Sequence, residues 1–194
     1  MTLSHNSQVN FISHVLLTLT TLPSLAKAQS PRIVCTTSCM QYFGTFDLSN
    51  ANAGINSYSH NKLYFQTWLT ELQSRMANSS KYRHISITGV HPGFVKTNIW
   101  VSPQQKLSEE KKKSWVEKVL RFLLDWYAID SQQGSLAITS AATAEGGAGG
   151  YRNRIWEAVP MPQTRSLNCR RKVWEFVNEE LKLGDKGLLR ELGV

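Results

Sequence analysis

A chain of 194 residues with 41% hydrophobic residues and 12 glycines has the apolar content of one packed domain, which excludes an intrinsically disordered tail. The apolar stretch from Val15 to Ala26 is interrupted by Thr18, Thr20, Thr21, Pro23 and Ser24, too short and too polar for a membrane-spanning helix. The formal charge of +8 is spread over separate groups at Lys111 to Lys113, Arg152 to Arg154 and Arg170 to Lys172, without interleaved stacking aromatics, so nucleic acid is not expected as a partner.

Three cysteines, Cys35, Cys39 and Cys169, make no C-x-x-C pair. Neither a disulfide framework nor a zinc site is expected, and reduced thiols in the cytoplasm fit best.

The first thirty residues allow two readings. Val15 to Ala26 followed by Ala26-Lys27-Ala28 has the form of a secretory core and cleavage site, yet no Lys or Arg precedes it. The competing reading is a buried helix over Asn10 to Leu22. Phe11, Val15, Leu19 and Leu22 recur at helical spacing there, Leu16 widens the stripe, and Pro23 limits it.

Beyond Pro31, the β-branched run Ile33-Val34-Cys35-Thr36-Thr37 predicts a buried strand. From Ser57 a second helix carries Phe65, Trp68, Leu69, Leu72 and Met76 on one stripe, up to the polar stop Asn78-Ser79-Ser80. A second strand, His84 to Val90, ends at His91-Pro92-Gly93, where the Pro-Gly step forces a turn.

Residues 98 to 108 read as loop, and Ser108 caps a helix reaching about Tyr127. Trp115, Val119, Phe122, Leu123 and Trp126 lie opposite Lys112, Lys113, Lys118 and Arg121. That face suits a core, a substrate lid or peripheral contact with a membrane surface. Ser131 to Thr143 is a further helix, the run Gly146 to Gly150 breaks it, Tyr151 to Trp156 returns as a short strand, and Arg165 to Leu183 closes the chain as a polar helix. No repeat or linker divides the chain, so 1–194 reads as one α/β domain.

Tyr58 and Lys62 stand four apart at the start of the second helix and share a face. A phenol with its ordinary pKa near ~10 is a poor base at neutral pH, and a neighbouring ammonium stabilises the phenolate. Such a pair can exchange a proton with an alcohol or a carbonyl. Around it lie Val9-Asn10 at a helix start, Thr36-Thr37-Ser38 at a strand end, and Pro92-Gly93-Phe94-Val95-Lys96-Thr97 after the next strand.

Taken in order from about Thr2 to about Trp156, these segments resemble the short-chain dehydrogenase/reductase family, particularly its retinol-dehydrogenase-like branch. The tail Tyr151-Arg152-Asn153-Arg154-Ile155-Trp156-Glu157 is similar to that of fungal members. The resemblance implies an oxidoreductase using NADP or NAD, with Tyr58 as catalytic acid/base and Lys62 lowering its pKa and bonding the nicotinamide ribose. It implies that Ser38 holds the substrate carbonyl, that Asn10 kinks its helix and positions a relay water, and that Pro92, Gly93, Val95 and Thr97 border the nicotinamide. Read singly, Asn10 is equally a helix N-cap, Ser38 a turn former and Thr97 the cap of a following helix.

The family's glycine-rich turn and its Asn-Asn-Ala-Gly strand end are expected upstream of Asn10, where this chain has nine residues. The run Gly146 to Gly150 follows a helix and precedes a strand, the reverse of a phosphate-cradling context, and reads as a flexible turn. The expected fold is therefore the C-terminal part of a Rossmann-type doubly wound parallel sheet lacking the first β-α-β units, with residues 98–130 as the substrate-lid region. Three strands with one open edge are expected, and with them an isolated chain that is unstable or needs a partner supplying strands.

The expected partners are a small lipophilic alcohol or carbonyl compound and a second copy, through the helices starting near Asn10 and Ser57. Two other readings stand beside the dehydrogenase: a catalytically inactive remnant acting as a binding protein, and a small basic secreted protein.

Overall fold

The computed structural model of the chain describes residues 4–50, 57–96, 128–144 and 150–192. Four strands, β1 (Arg32–Thr36), β2 (Ser86–His91), β3 (Gly150–Asn153) and β4 (Trp156–Ala158), form one sheet in the order β1-β2-β3-β4. The first three run parallel, with Ile33 opposite Ile87 and Gly89 opposite Tyr151, and β4 folds back antiparallel. Parallel neighbours require crossover connections. Helix α2 (Ser57–Ala77) lies between β1 and β2 in the chain, and α3 (Ser131–Thr143) between β2 and β3. The remaining long helices are α1 (Ser13–Leu25) and α4 (Leu167–Leu181).

The helices cover both faces of the sheet, as the α/β reading requires. Ile33, Cys35, Ile85 and Ile87 join the main core with side chains of α1, α2 and α4, while Val34 and Val90 meet Ala137 and Ala141 of α3 on the other face. The stripe anticipated on α2 is the centre of the main core, with Phe65, Trp68, Leu69, Leu72 and Met76 all at or below 2% exposure.

Trp174 of α4 stacks on Trp68, ring centroids 6.4 Å apart, and the Arg75 guanidinium lies 4.2 Å from the Trp174 ring. Glu71 completes the junction by accepting from Arg75 at 2.8 Å and from Arg170 at 2.9 Å. One carboxylate thus ties α2 to α4, and its two charged partners offset the cost of its burial.

Three local features depart from the sequence reading. The first helix begins earlier than Asn10: Ser4 caps a turn over His5–Ser7, a π-helical turn follows over Gln8–Ile12, and α1 continues to Leu25. Pro23 lies inside α1 rather than after it. It removes a donor only in the last turn, and the Ala26 N–H still closes on the Leu22 carbonyl at 2.9 Å. Finally, the strand anticipated over Tyr151 to Trp156 is a hairpin of two strands, which makes four strands instead of three. Its two-residue turn is Arg154-Ile155, with Arg154 at a left-handed φ of 58°, so the usual Asn or Gly turn signature is missing.

The predicted helix from Ser108 to Tyr127 and the residues Gly146 to Gly149 lie outside the described residues. Among the described residues no helix is long and apolar enough to cross a membrane.

The junction of α2 and α4 predicts that Trp68→Ala destabilises the chain by ~3–5 kcal/mol, the range for truncating a buried aromatic side chain. Denaturant unfolding followed by circular dichroism measures it, and a loss below ~1 kcal/mol contradicts the packing described.

Candidate active site

The ladder between β1 and β2 continues to Thr37, whose N–H donates to the Val90 carbonyl at 2.8 Å. Ser38 then leaves the sheet in an extended conformation and caps a short 3-10 turn, Cys39–Phe43, by accepting from the Met40 N–H at 3.2 Å. Because Thr36 is opposite Val90, Ser38 and the Pro92-Gly93 turn emerge side by side. This is the C-terminal edge of parallel strands, where ligands bind in open α/β sheets.

The first turns of α2 lie over that edge. Lys62 is 6% exposed, and its Nζ sits 5.4 Å from the centroid of the Tyr58 ring and donates to the Thr36 carbonyl at 3.4 Å. Burial lowers the Lys62 pKa to about 8, partly offset by the neighbouring Cys35 thiol, and burial drives Cys35 up to about 12. The Tyr58 pKa is raised, first by burial; hydrogen bonding with Ser38 acts the other way, and Cys39 adds to the rise. The ammonium thus rests on the face of the ring, where it meets the π system rather than the phenolic oxygen.

Asn10 is not a helix cap. It lies within the π-helical turn, and its Nδ2 donates to the Asn6 carbonyl at 3.1 Å and to Asn6 Oδ1 at 2.5 Å. Asn6 Nδ2 in turn donates to Ser57 Oγ at 2.6 Å, so the widened turn is tethered to the first residue of α2, next to Tyr58.

Gly93 closes the site from the β2 side at φ 101°. A Cβ there would stand 3.0 Å from Ile129 Cδ1 and 3.2 Å from Arg154 Nε, so glycine is required both by conformation and by space. Pro92 precedes it directly. Val95 bridges Ile129 and packs on α3, where a Cβ at Gly134 would lie 2.6 Å from Val95 Cγ2. Thr97 lies outside the described residues.

Sequence reasoning missed three contributors. Asn6 was readable only as the residue one helical turn before Asn10. The Thr36 carbonyl, a backbone group, has no sequence signal at all. His91, 6% exposed at the end of β2, has its pKa lowered by burial and by Arg154, and no spacing pattern links it to a residue so far along the chain.

No family model matches the chain. It is 28% identical over 178 residues to polyprenol dehydrogenase of Mus musculus, covering 86% of this chain and 50% of that protein. It is 27% identical over 177 residues to retinol dehydrogenase 14 of Homo sapiens, covering 87% of this chain and 49% of that protein. Both are short-chain dehydrogenases/reductases.

The chain is similar to both at under 30% identity. It spans about half the length of the curated relatives it matches. The mostly parallel sheet with helices on both faces is the fold class anticipated from the short-chain dehydrogenase resemblance.

The Lys62 pKa makes a signed prediction. Folded, the group loses its proton near pH 8; unfolded, it keeps it to about 10.4. Between those values the unfolded chain binds more protons, so stability rises with pH through that window, and the cost of the buried charge is fully present below it. Unfolding midpoints measured from pH 7 to 10.5 are expected to climb relative to Lys62→Met. Parallel curves for the two proteins contradict the assignment.

Proposed function

We propose that this chain carries the proton-transfer and nicotinamide-side groups of an NAD(P)-dependent oxidoreductase that interconverts a lipophilic alcohol with its ketone or aldehyde. The observation that supports this reading best is the meeting of Ser38, Tyr58 and Lys62 beside the Pro92-Gly93 turn, at the C-terminal edge of β1 and β2. The names of both relatives refer to lipophilic alcohols, a polyprenol and a retinol. Three free cysteines among the described residues agree with a cytoplasmic setting.

The residues fit the nicotinamide end of such a cofactor. Lys62 has three donors, and among the described residues Thr36 is the acceptor recorded for it, which leaves donors for ribose hydroxyls. Gly93 lets the main chain turn away from β2 beside them. When bound, the nicotinamide accepts or supplies the hydride at the carbinol carbon. The adenine and pyrophosphate side has no counterpart among the described residues.

In the oxidation direction Tyr58 takes the proton of the alcohol O–H as the C–H bond breaks, and in reduction it gives that proton back to the carbonyl oxygen. Its raised pKa keeps the phenol protonated at neutral pH, which suits the donor role; abstraction requires the phenolate to be favoured on ligand binding. Ser38 is placed to hydrogen-bond the same substrate oxygen and keep it on Tyr58. Asn10 and Asn6 tether the start of α2 to the π-helical turn.

Two measurements test the reading. Nicotinamide mononucleotide carries only the fitted half of the cofactor, and saturation-transfer NMR is expected to show it bound to the wild type and not to Lys62→Met. No binding to the wild type sinks the cofactor assignment. With NADP⁺ or NAD⁺ and a long-chain isoprenoid alcohol, Tyr58→Phe is expected to lower turnover by roughly 10²–10⁴-fold, the usual worth of a positioned acid/base. Unchanged turnover removes Tyr58 from the chemistry.

A further inference from the structure

The turn Cys39–Phe43, which Ser38 caps, is gripped from two sides. On one side Gly44, just past its end, lies against α2, where a Cβ would stand 2.7 Å from the Ser59 carbonyl oxygen and 3.0 Å from Leu63 Cβ. On the other side lies the β3–β4 hairpin. The Tyr42 hydroxyl donates to the Val159 carbonyl, one residue beyond β4, at 2.5 Å. The Tyr42 ring meets Tyr151 of β3 edge-on, with centroids 6.3 Å apart.

The hairpin side of this grip is polar where packing alone calls for apolar groups. Gln41 is fully buried, and Tyr151 is 3% exposed. Burial pushes the Tyr151 phenol up and Gln41 acts against that rise, so the amide and the hydroxyl lie within reach of each other. Their contact falls short of full hydrogen-bonding geometry, and among the described residues neither group has a fully formed partner. A buried amide and phenol in that condition cost stability that Leu and Phe of similar shape would not. Packing alone does not account for them.

Gln41 also closes the turn through its main chain. Its N–H donates to the Ser38 carbonyl at 3.2 Å, and its own carbonyl accepts from the Gly44 N–H at 3.1 Å. The Met40 N–H occupies one acceptor site of Ser38 Oγ, which leaves the hydroxyl hydrogen and a second lone pair for other partners. Hydrogen bonding from Ser38 acts on Tyr58. The Cys39 thiol raises the pKa of Tyr58, Tyr42 and Tyr151 alike, so it lies among all three phenols. The candidate site and the hairpin therefore meet across this one turn.

We propose that Tyr151 and Tyr42 are positioning residues for Ser38: through Gln41 and the Val159 carbonyl they lock the turn Cys39–Phe43 to the β3–β4 hairpin and so direct the Ser38 hydroxyl toward Tyr58. Their part in turnover rests on the dehydrogenase reading, whereas the lock itself does not. Neither phenol is a catalytic residue. Each acts by fixing where Ser38 stands, and a displacement of about 1 Å at such a group is worth up to ~10²-fold in rate.

Amide hydrogen exchange on the intact chain tests the lock. The double substitution Tyr42→Phe and Tyr151→Phe keeps both rings and removes both hydroxyls. Exchange at Met40, Gln41 and Gly44 is expected to quicken by about fivefold or more, while the Leu72 and Val173 amides of α2 and α4 keep their wild-type rates. Gln41→Leu is expected to act as Tyr151→Phe does, and the two together no more than either alone. Unchanged exchange in the turn overturns the proposal. So does a rise shared equally by α2 and α4, since the hydroxyls then serve global stability only.

The second arm is kinetic, with NADP⁺ or NAD⁺ and a long-chain isoprenoid alcohol. Tyr151→Phe is expected to lower kcat by roughly tenfold and leave KM within about twofold, because orientation is lost and binding is not. In a Ser38→Ala background the same substitution is expected to cost nothing further. An unchanged kcat, or an equal loss in that background, overturns the proposal. A wild type without turnover sinks the dehydrogenase reading instead, and exchange at the turn amides still decides the lock.

Discussion

Helix α2 has to be buried on most of its circumference, and the rest of the molecule is arranged to satisfy it. From Asn61 to Leu69 every residue is buried, including Lys62, Gln66 and Thr67. An ordinary surface helix presents only a stripe to the core. This one is enclosed by the sheet on one side, the turn Cys39–Phe43 on another, the π-helical turn on a third and α4 beyond it. Closing that ring requires the Trp68–Trp174 stack and the shared Glu71 carboxylate, and it leaves Lys62 with nowhere to go except the strand end.

The electrostatics of the candidate site follow from that enclosure. Burial alone pushes the Tyr58 phenol up and the Lys62 ammonium down, so both drift toward their neutral forms. Ser38 supplies the opposing hydrogen bond to the phenol, and Thr36 contributes a carbonyl to the ammonium. The backbone of β1 is therefore part of the site as well as part of the sheet. Anything that shifts β1 acts on Lys62 through the Thr36 carbonyl.

How much of this was legible depends on how local the determining forces are. Helices α2 and α3 begin and end where periodicity and stop signals put them, because both are set by residues within a turn or two, such as the Asp130–Gln133 capping box. The strands β1 and β2 were readable from β-branched runs, each shifted by a residue or two. Tyr58, Lys62, Ser38 and Asn10 could be singled out because their segments come in a recognisable order. The π-helical turn was hidden, since nothing in Gln8–Ile12 forbids an α-helix; the widening is stabilised by Asn6 reaching Ser57, fifty-one residues away. Strand β4 was hidden because its turn places an arginine, not a glycine or asparagine, in the left-handed region.

The sequence by itself determined the class of the fold, the buried faces of its helices and the shared helix face of Tyr58 and Lys62, because spacing along one chain decides which side chains share a face. Only the tertiary structure decided how those two side chains meet. Whether the Lys62 ammonium meets the oxygen or the ring of Tyr58, and which carbonyl it binds, depends on where β1 crosses α2. The tertiary structure also aimed the Thr36 carbonyl at Lys62, a consequence of sheet register that no stretch of local sequence encodes. Both are long-range outcomes, fixed by packing between segments far apart in the chain rather than by the residues next to each group.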